Sequence, residues 1–182
     1  MTSQNKENFK FAWRVVAAHV IAYFIAGIFA MQVFNYAELF SSGTMSLVMR
    51  PTTDPIVALG PFLQIIRGLI MALVLLPFRK VFTEEKSGFL KLGLLIFGLS
   101  VLSTFSAAFG SVDGFIYTRL SFMEHIVGYP EAFLWIFLFI AILWILYRFE
   151  RKPVSIIVLV LFVLIVLMSF AGYLIALQTM QL

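Results

Sequence analysis

The sequence predicts an all-α integral membrane protein: one domain, residues 1–182, folded as a five-transmembrane-helix bundle. Three observations predict it. The 182-residue chain is 62% hydrophobic with a mean hydropathy of +1.03, and only 12% of its residues are charged. A soluble domain carries about 25% charged residues, so this composition cannot clothe a soluble surface. Five apolar runs, near 15–34, 55–78, 89–110, 130–147 and 154–177, each approach the length needed to cross ~30 Å of hydrocarbon at ~1.5 Å per residue. The third observation is how the basic residues divide between the connections.

The first run follows a polar, basic N-terminus. It is longer than the ~7–15 apolar residues of a signal peptide, and no small-residue cleavage site follows it, so it reads as a retained span. Residues 35–53 form a long connection whose apolar anchors, Leu39-Phe40 and Leu47-Val48-Met49, predict a segment lying on the membrane interface. Asp54-Pro55 then reads as the start of the second span, since Asp caps a helix and Pro suits its first position. Pro61, one turn further in, predicts a kink.

A short charged connection, 79–91, leads to the third span, rich in Gly and Ser. In the second long connection, Ser121-Phe122-Met123-Glu124 matches a capping box, with Gly128 placed to end a short helix. Pro130-Glu131 opens the fourth span. The basic turn RFERKP, 148–153, separates it from the fifth, which is nearly pure Val, Ile, Leu and Phe.

With the N-terminus inside, the inner segments carry Lys6, Lys10, Arg14, Arg79, Lys80, Lys86, Lys91, Arg148, Arg151 and Lys152. The outer segments carry only Arg50 and Arg119. Ten against two predicts an N-in, C-out topology. The formal charge of +4 is then a topology signal and does not point to nucleic acid. The chain has no cysteine, which removes disulfides, iron–sulfur clusters and cysteine-ligated zinc.

Both long connections fall on the outer face, where elaborated loops tend to carry function. Arg67 is the sharpest single signal. An arginine in mid-span costs about 2.5–3.5 kcal/mol on translocon scales, so it is expected to face the bundle interior and find a partner. Gln64 lies one turn away. Ser100, Ser103, Thr104, Ser106, Asp113 and Glu131 are further candidate partners. His19 is expected to hydrogen-bond a neighbouring helix. His125 belongs to the opposite leaflet, so the two histidines cannot share a haem or metal within one protomer, and no metal or cofactor is expected. Glu124 has a capping role and Glu131 suits a helix N-terminus. With Asp113, Tyr117 and His125 they still form a set of acid, base and hydroxyl groups on one side.

Small residues predict the packing. Ala18, Ala22, Ala26 and Ala30 recur every four residues, as do Gly68 and Ala72 on the second span. The first three spans hold most intramembrane polar groups and are expected to form the bundle core. The fifth is expected to face lipid or a partner subunit.

Three blocks, MRPTTDP…LGP…RG, GSVDGFIYT and GYPEA, together resemble a group of small bacterial multi-spanning membrane proteins to which no activity is assigned. They cover about a third of the chain. The resemblance implies a bacterial inner (cytoplasmic) membrane location and groups Arg50, Asp54, Arg67, Asp113, Tyr117 and Glu131 in one neighbourhood.

These readings lead to a membrane protein whose outward-facing polar pocket is floored by Arg67. The candidate lining is Arg67, Gln64, Arg50, Asp54, Asp113, Tyr117, Arg119, His125 and Glu131. The pocket is expected to take a small anionic or lipid-like molecule, or to support a membrane partner or a second copy. Two alternatives remain at this point: an outer-leaflet enzyme using His125 or Glu131 as acid/base, with Arg67 or Arg119 holding an anionic group, and a structural subunit of a membrane complex.

Overall fold

The computed structural model describes residues 2–103 and 107–180. It is all-helical, with no strand among the described residues. In chain order the helices are α1 (Ser3–Val33), α2 (Tyr36–Leu39), α3 (Pro55–Ala58), α4 (Gly60–Leu75), α5 (Arg79–Thr83), α6 (Gly88–Phe97), α7 (Val112–Tyr117), α8 (Phe122–Ile126), α9 (Tyr129–Arg148) and α10 (Lys152–Thr179).

Among the described residues, four stretches are long and apolar enough to cross a membrane: α1, the run Gly60–Thr83, the run Phe122–Arg148, and α10. The third expected span is shorter than the run 89–110. α6 continues through one π-wound turn, Gly98–Leu102, and the helix ends at Ser103, whose backbone is no longer helical. The helix Gly88–Leu102 covers only ~22 Å at ~1.5 Å per residue. Thr104 and Ser106 lie outside the described residues.

α1 is the central helix. More than half of its apolar window is buried (56%), against 17%, 22% and 11% for the other three spans. It packs against α4, α9 and α10, while α6 lies on α9. The expectation that the first three spans form the core is therefore corrected: α9, not the third apolar segment, completes it. The reason is steric. Ala18, Ala22, Ala26 and Ala30 are all buried, and this shallow face accepts the bulk of Trp135, Ile136, Phe139 and Leu143. On α4, Gly68 serves the same end. A Cβ there would sit 3.1 Å from the Val16 Cα, so only glycine permits this approach without displacement.

The second apolar run begins as its sequence predicts. Asp54 caps α3 by accepting from the Ile56 amide at 3.0 Å, with Pro55 in the first turn. The helix is interrupted at Leu59, just before Pro61. There the Phe62 amide no longer closes a turn onto the Ala58 carbonyl. The hydroxyl of Ser169 on α10 takes that place, accepting from Phe62 N at 3.2 Å and donating to Ala58 O at 2.8 Å. One serine hydroxyl in a mainly apolar helix thus satisfies both groups of the broken backbone. The rest of α10 is largely exposed.

The capping box at Ser121 and Glu124 forms. Gly128 does not terminate α8 in a left-handed turn. Its φ is −81°, and α9 starts at the next residue, so α8 and α9 run on as one apolar stretch.

Candidate functional site

Two places in the fold gather the chain's unusual polar groups. The first is a cavity of about 810 Å³ at the end of the bundle where α1 finishes and α3 begins. Its walls are mostly apolar: Phe24, Ile28, Met31, Phe40, Met45, Val48, Met49 and Ile56. Its polar groups are few, namely Tyr23, Tyr36, Arg50, Thr52, Glu124 and Glu131.

Tyr36 and Glu131 are joined. The phenol donates to Glu131 Oε2 at 2.6 Å, tying α2 to the first turn of α9. Tyr36 is buried, between Phe34 at 6.2 Å and Phe40 at 4.5 Å. Burial raises its hydroxyl well above the usual tyrosine range, and the neighbouring carboxylate adds to the shift. The phenol therefore stays a donor across the physiological range. Arg50, on the rim, pairs with Asp54 at 2.8 Å. The Ile56 amide and then Arg50 hold that carboxyl below the usual aspartate range.

The second place is the contact between α1, α4 and α9. The indole N–H of Trp135 donates to His19 Nδ1 at 3.1 Å. Indole nitrogen can only donate, so Nδ1 accepts and the proton of the neutral ring is on Nε2. Nε2 then donates to Gln64 Oε1 at 2.9 Å. His19 is fully buried, and its hydrogen bonds to two neighbouring helices agree with the role expected for it.

Arg67 departs from expectation. Its guanidinium lies 5.1 Å from the Trp135 ring centroid, yet the residue is exposed rather than enclosed. It does not line the 810 Å³ cavity. Gln64 serves His19 instead of Arg67, and among the described residues Arg67 makes no hydrogen bond and no ion pair.

The other candidates are dispersed. Asp113 sits in the first turn of α7, and Tyr117 and Arg119 project into open surroundings. His125 is buried away from the cavity. Its Nδ1 accepts from the Gly110 amide at 3.2 Å, and its Nε2 meets Thr118 Oγ1 at 3.1 Å. Phe115 stacks on the ring at 4.2 Å. Gly110, at φ +74°, also accepts from the Tyr129 hydroxyl at 2.7 Å, and a Cβ there would fall 2.3 Å from the Tyr129 ring. His125 thus fastens together the connection that precedes α9.

Of the nine candidates, then, the structure brings Arg50 and Glu131 to the cavity, with Asp54 beside Arg50. Tyr36 and Trp135 were not singled out from the sequence. An aromatic within or beside a span is ordinary, and nothing local marks these two. Tyr23, one turn beyond His19, was the available signal for the cavity's inner end.

At the opposite end of the bundle, Arg14 is 5% exposed and bonds Glu150 at 2.8 Å, as does Lys10. Arg14 also lies 4.3 Å from the Tyr147 ring centroid. These two cations hold the Glu150 carboxyl below the usual range. Comparison with protein families, curated proteins and solved structures finds no match to this chain.

Proposed function

We propose that this protein is a five-span membrane protein, N-terminus inside and C-terminus outside in a bacterial inner membrane, whose outer cavity holds one lipid-like amphiphile. The single observation behind this reading is the cavity's make-up. About 810 Å³ of mainly apolar wall meets one tight phenol–carboxylate pair, Tyr36–Glu131. Ligand sites have this form, an apolar enclosure with a few placed polar groups that orient the guest.

The lining also bears on the kind of headgroup. It contains two carboxylates, Glu124 and Glu131, and one cation, Arg50, already paired with Asp54. That balance favours a zwitterionic or cationic headgroup over the anionic ligand expected from Arg67. The outer connection supports the interfacial part of the reading. Val112, Ile116, Phe122 and Met123 all leave large apolar surface exposed on α7 and α8, which suits helices lying on the bilayer. The acid/base reading draws less support, because His125 uses both ring nitrogens internally and lies off the cavity.

Native mass spectrometry of the purified protein tests the ligand. A bound amphiphile is expected in the wild type and should be lost in Gly27→Trp, which fills the cavity from a position where a Cβ has open space. A wild type free of any adduct, or one whose adduct survives Gly27→Trp, refutes the reading. A reporter fused after Leu182 that is active in the cytoplasm refutes the topology.

A further inference from the structure

Arg67 stands inside the crossing run Gly60–Thr83, seven residues from Gly60 and twelve from Arg79, with the break at Leu59 separating it from Pro55, twelve residues away. That places it ~10 Å of helix from the start of α4 and ~18 Å of chain from Arg79. Its backing is complete: Trp135 lies behind the guanidinium, and His19 and Gln64 satisfy each other beneath it. Its front is open. A guanidinium carries five N–H donors and is always charged. In hydrocarbon those donors require an acceptor at the same depth.

The possible sources of that acceptor can be compared. Lipid phosphates lie at the two interfaces, about half of ~30 Å away. The outer cavity stops short, since neither Gln64 nor Arg67 lines it. A second copy of the chain offers no carboxylate at that depth. None of its nine Asp and Glu residues lies in the middle of a spanning helix, and the nearest in depth, Glu131, is in the first turn of α9 and engaged with Tyr36. Around Arg67 the flank of α4 is apolar and uncovered, with Ile66 and Ile70 each 58% exposed and Val74 63%.

We infer that this flank is a docking face for a transmembrane helix of a different protein, one that carries an Asp or Glu near its middle. Charge complementarity selects the occupant. A carboxylate accepts two parallel N–H bonds from the guanidinium, the strongest pairing open to it, while the apolar rows on either side pack against the partner's own apolar surface. Trp135 acts as a platform that holds the guanidinium plane toward the incoming helix. This inference is independent of the amphiphile cavity.

The test places a photo-crosslinking amino acid at Leu63 or Ile70, one turn outward and one turn inward of Arg67, in the full chain in native membranes. The expected result is an adduct whose partner peptide is a spanning helix with a central Asp or Glu. The adduct should fall by about tenfold or more in Arg67→Gln, persist in Arg67→Lys, and be lost when the partner's carboxylate is changed to its amide. Thermal unfolding of Arg67→Gln in detergent separates loss of docking from loss of fold. Adducts with lipid alone, with this chain alone, or with a helix lacking a carboxylate overturn the inference. So does a protein adduct that survives Arg67→Gln in the folded variant, or no adduct from either position.

Discussion

Trp135 on α9 donates its indole N–H to Nδ1 of His19 on α1 at 3.1 Å, and this one bond fixes both the tautomer and the facing of the buried ring. Trp135→Phe keeps the aromatic bulk and removes only the donor. A fully buried acceptor then goes unpaired, at a cost of about 1–3 kcal/mol. A clear fall in Tm of the detergent-solubilised protein is expected, and an unchanged Tm would mean that the bond contributes nothing.

Ser169 makes a similar argument on the opposite side of α4. Ser169→Ala removes the partner of both the Phe62 amide and the Ala58 carbonyl, and should destabilise by about 1–3 kcal/mol. Ser155→Ala, on the same helix at an exposed position, should be within about 0.5 kcal/mol of wild type. Equal effects from the two substitutions, read by chemical denaturation, speak against the hydroxyl bridge.

Gly68 allows α4 to lie against α1. Gly68→Ala forces a methyl to within 3.1 Å of the Val16 Cα, and the overpacking should cost about 1–3 kcal/mol despite alanine's better helix propensity. Gly27→Ala meets nothing within 4 Å and should be neutral or mildly stabilising. A pair of Tm measurements in one detergent decides between them, and the reverse order would falsify the close-packing account.

Glu150 gives the Arg14 end of the bundle a pH dependence. Lys10 and then Arg14 lower its folded pKa below the unfolded value of about 4.3. A lowered carboxylate contributes stability that is fully present above the unfolded pKa and is lost as pH falls through the folded pKa. Titration below about pH 4.3 should therefore lower Tm in the wild type. Glu150→Gln should show a shallower fall over the same window and a lower Tm at neutral pH, since Arg14, 5% exposed, loses its carboxylate. The exposure of Glu150 keeps both effects modest.

Much of the scaffold was legible in the chain. The Asp54 cap, the capping box at Ser121 and the alanine stripe on α1 all rest on spacings of four residues or fewer, so each can be read from a short window. The third apolar run misled because hydropathy does not register the π winding at Gly98–Leu102 or the end of the helix at Ser103. The candidate site was only half legible. Glu131 and Arg50 reach the cavity, but His125 turned inward to hold Gly110 and Thr118, and Arg67 turned away to Trp135.

By itself, the sequence determined that this is a membrane protein with several apolar helices, where most of those helices start, and that Arg67 is out of keeping with its surroundings. These follow from hydropathy, capping and charge, which add along the chain and need no knowledge of what lies across from a residue. The packing of the helices is what sets α9, and not the third segment, as the element that completes the core. It also decided that Tyr36 meets Glu131, and that Arg67 is backed by an aromatic ring with its outer side open. Those outcomes depend on which helix faces which, and that is set by the fit of small faces against large ones over the whole bundle.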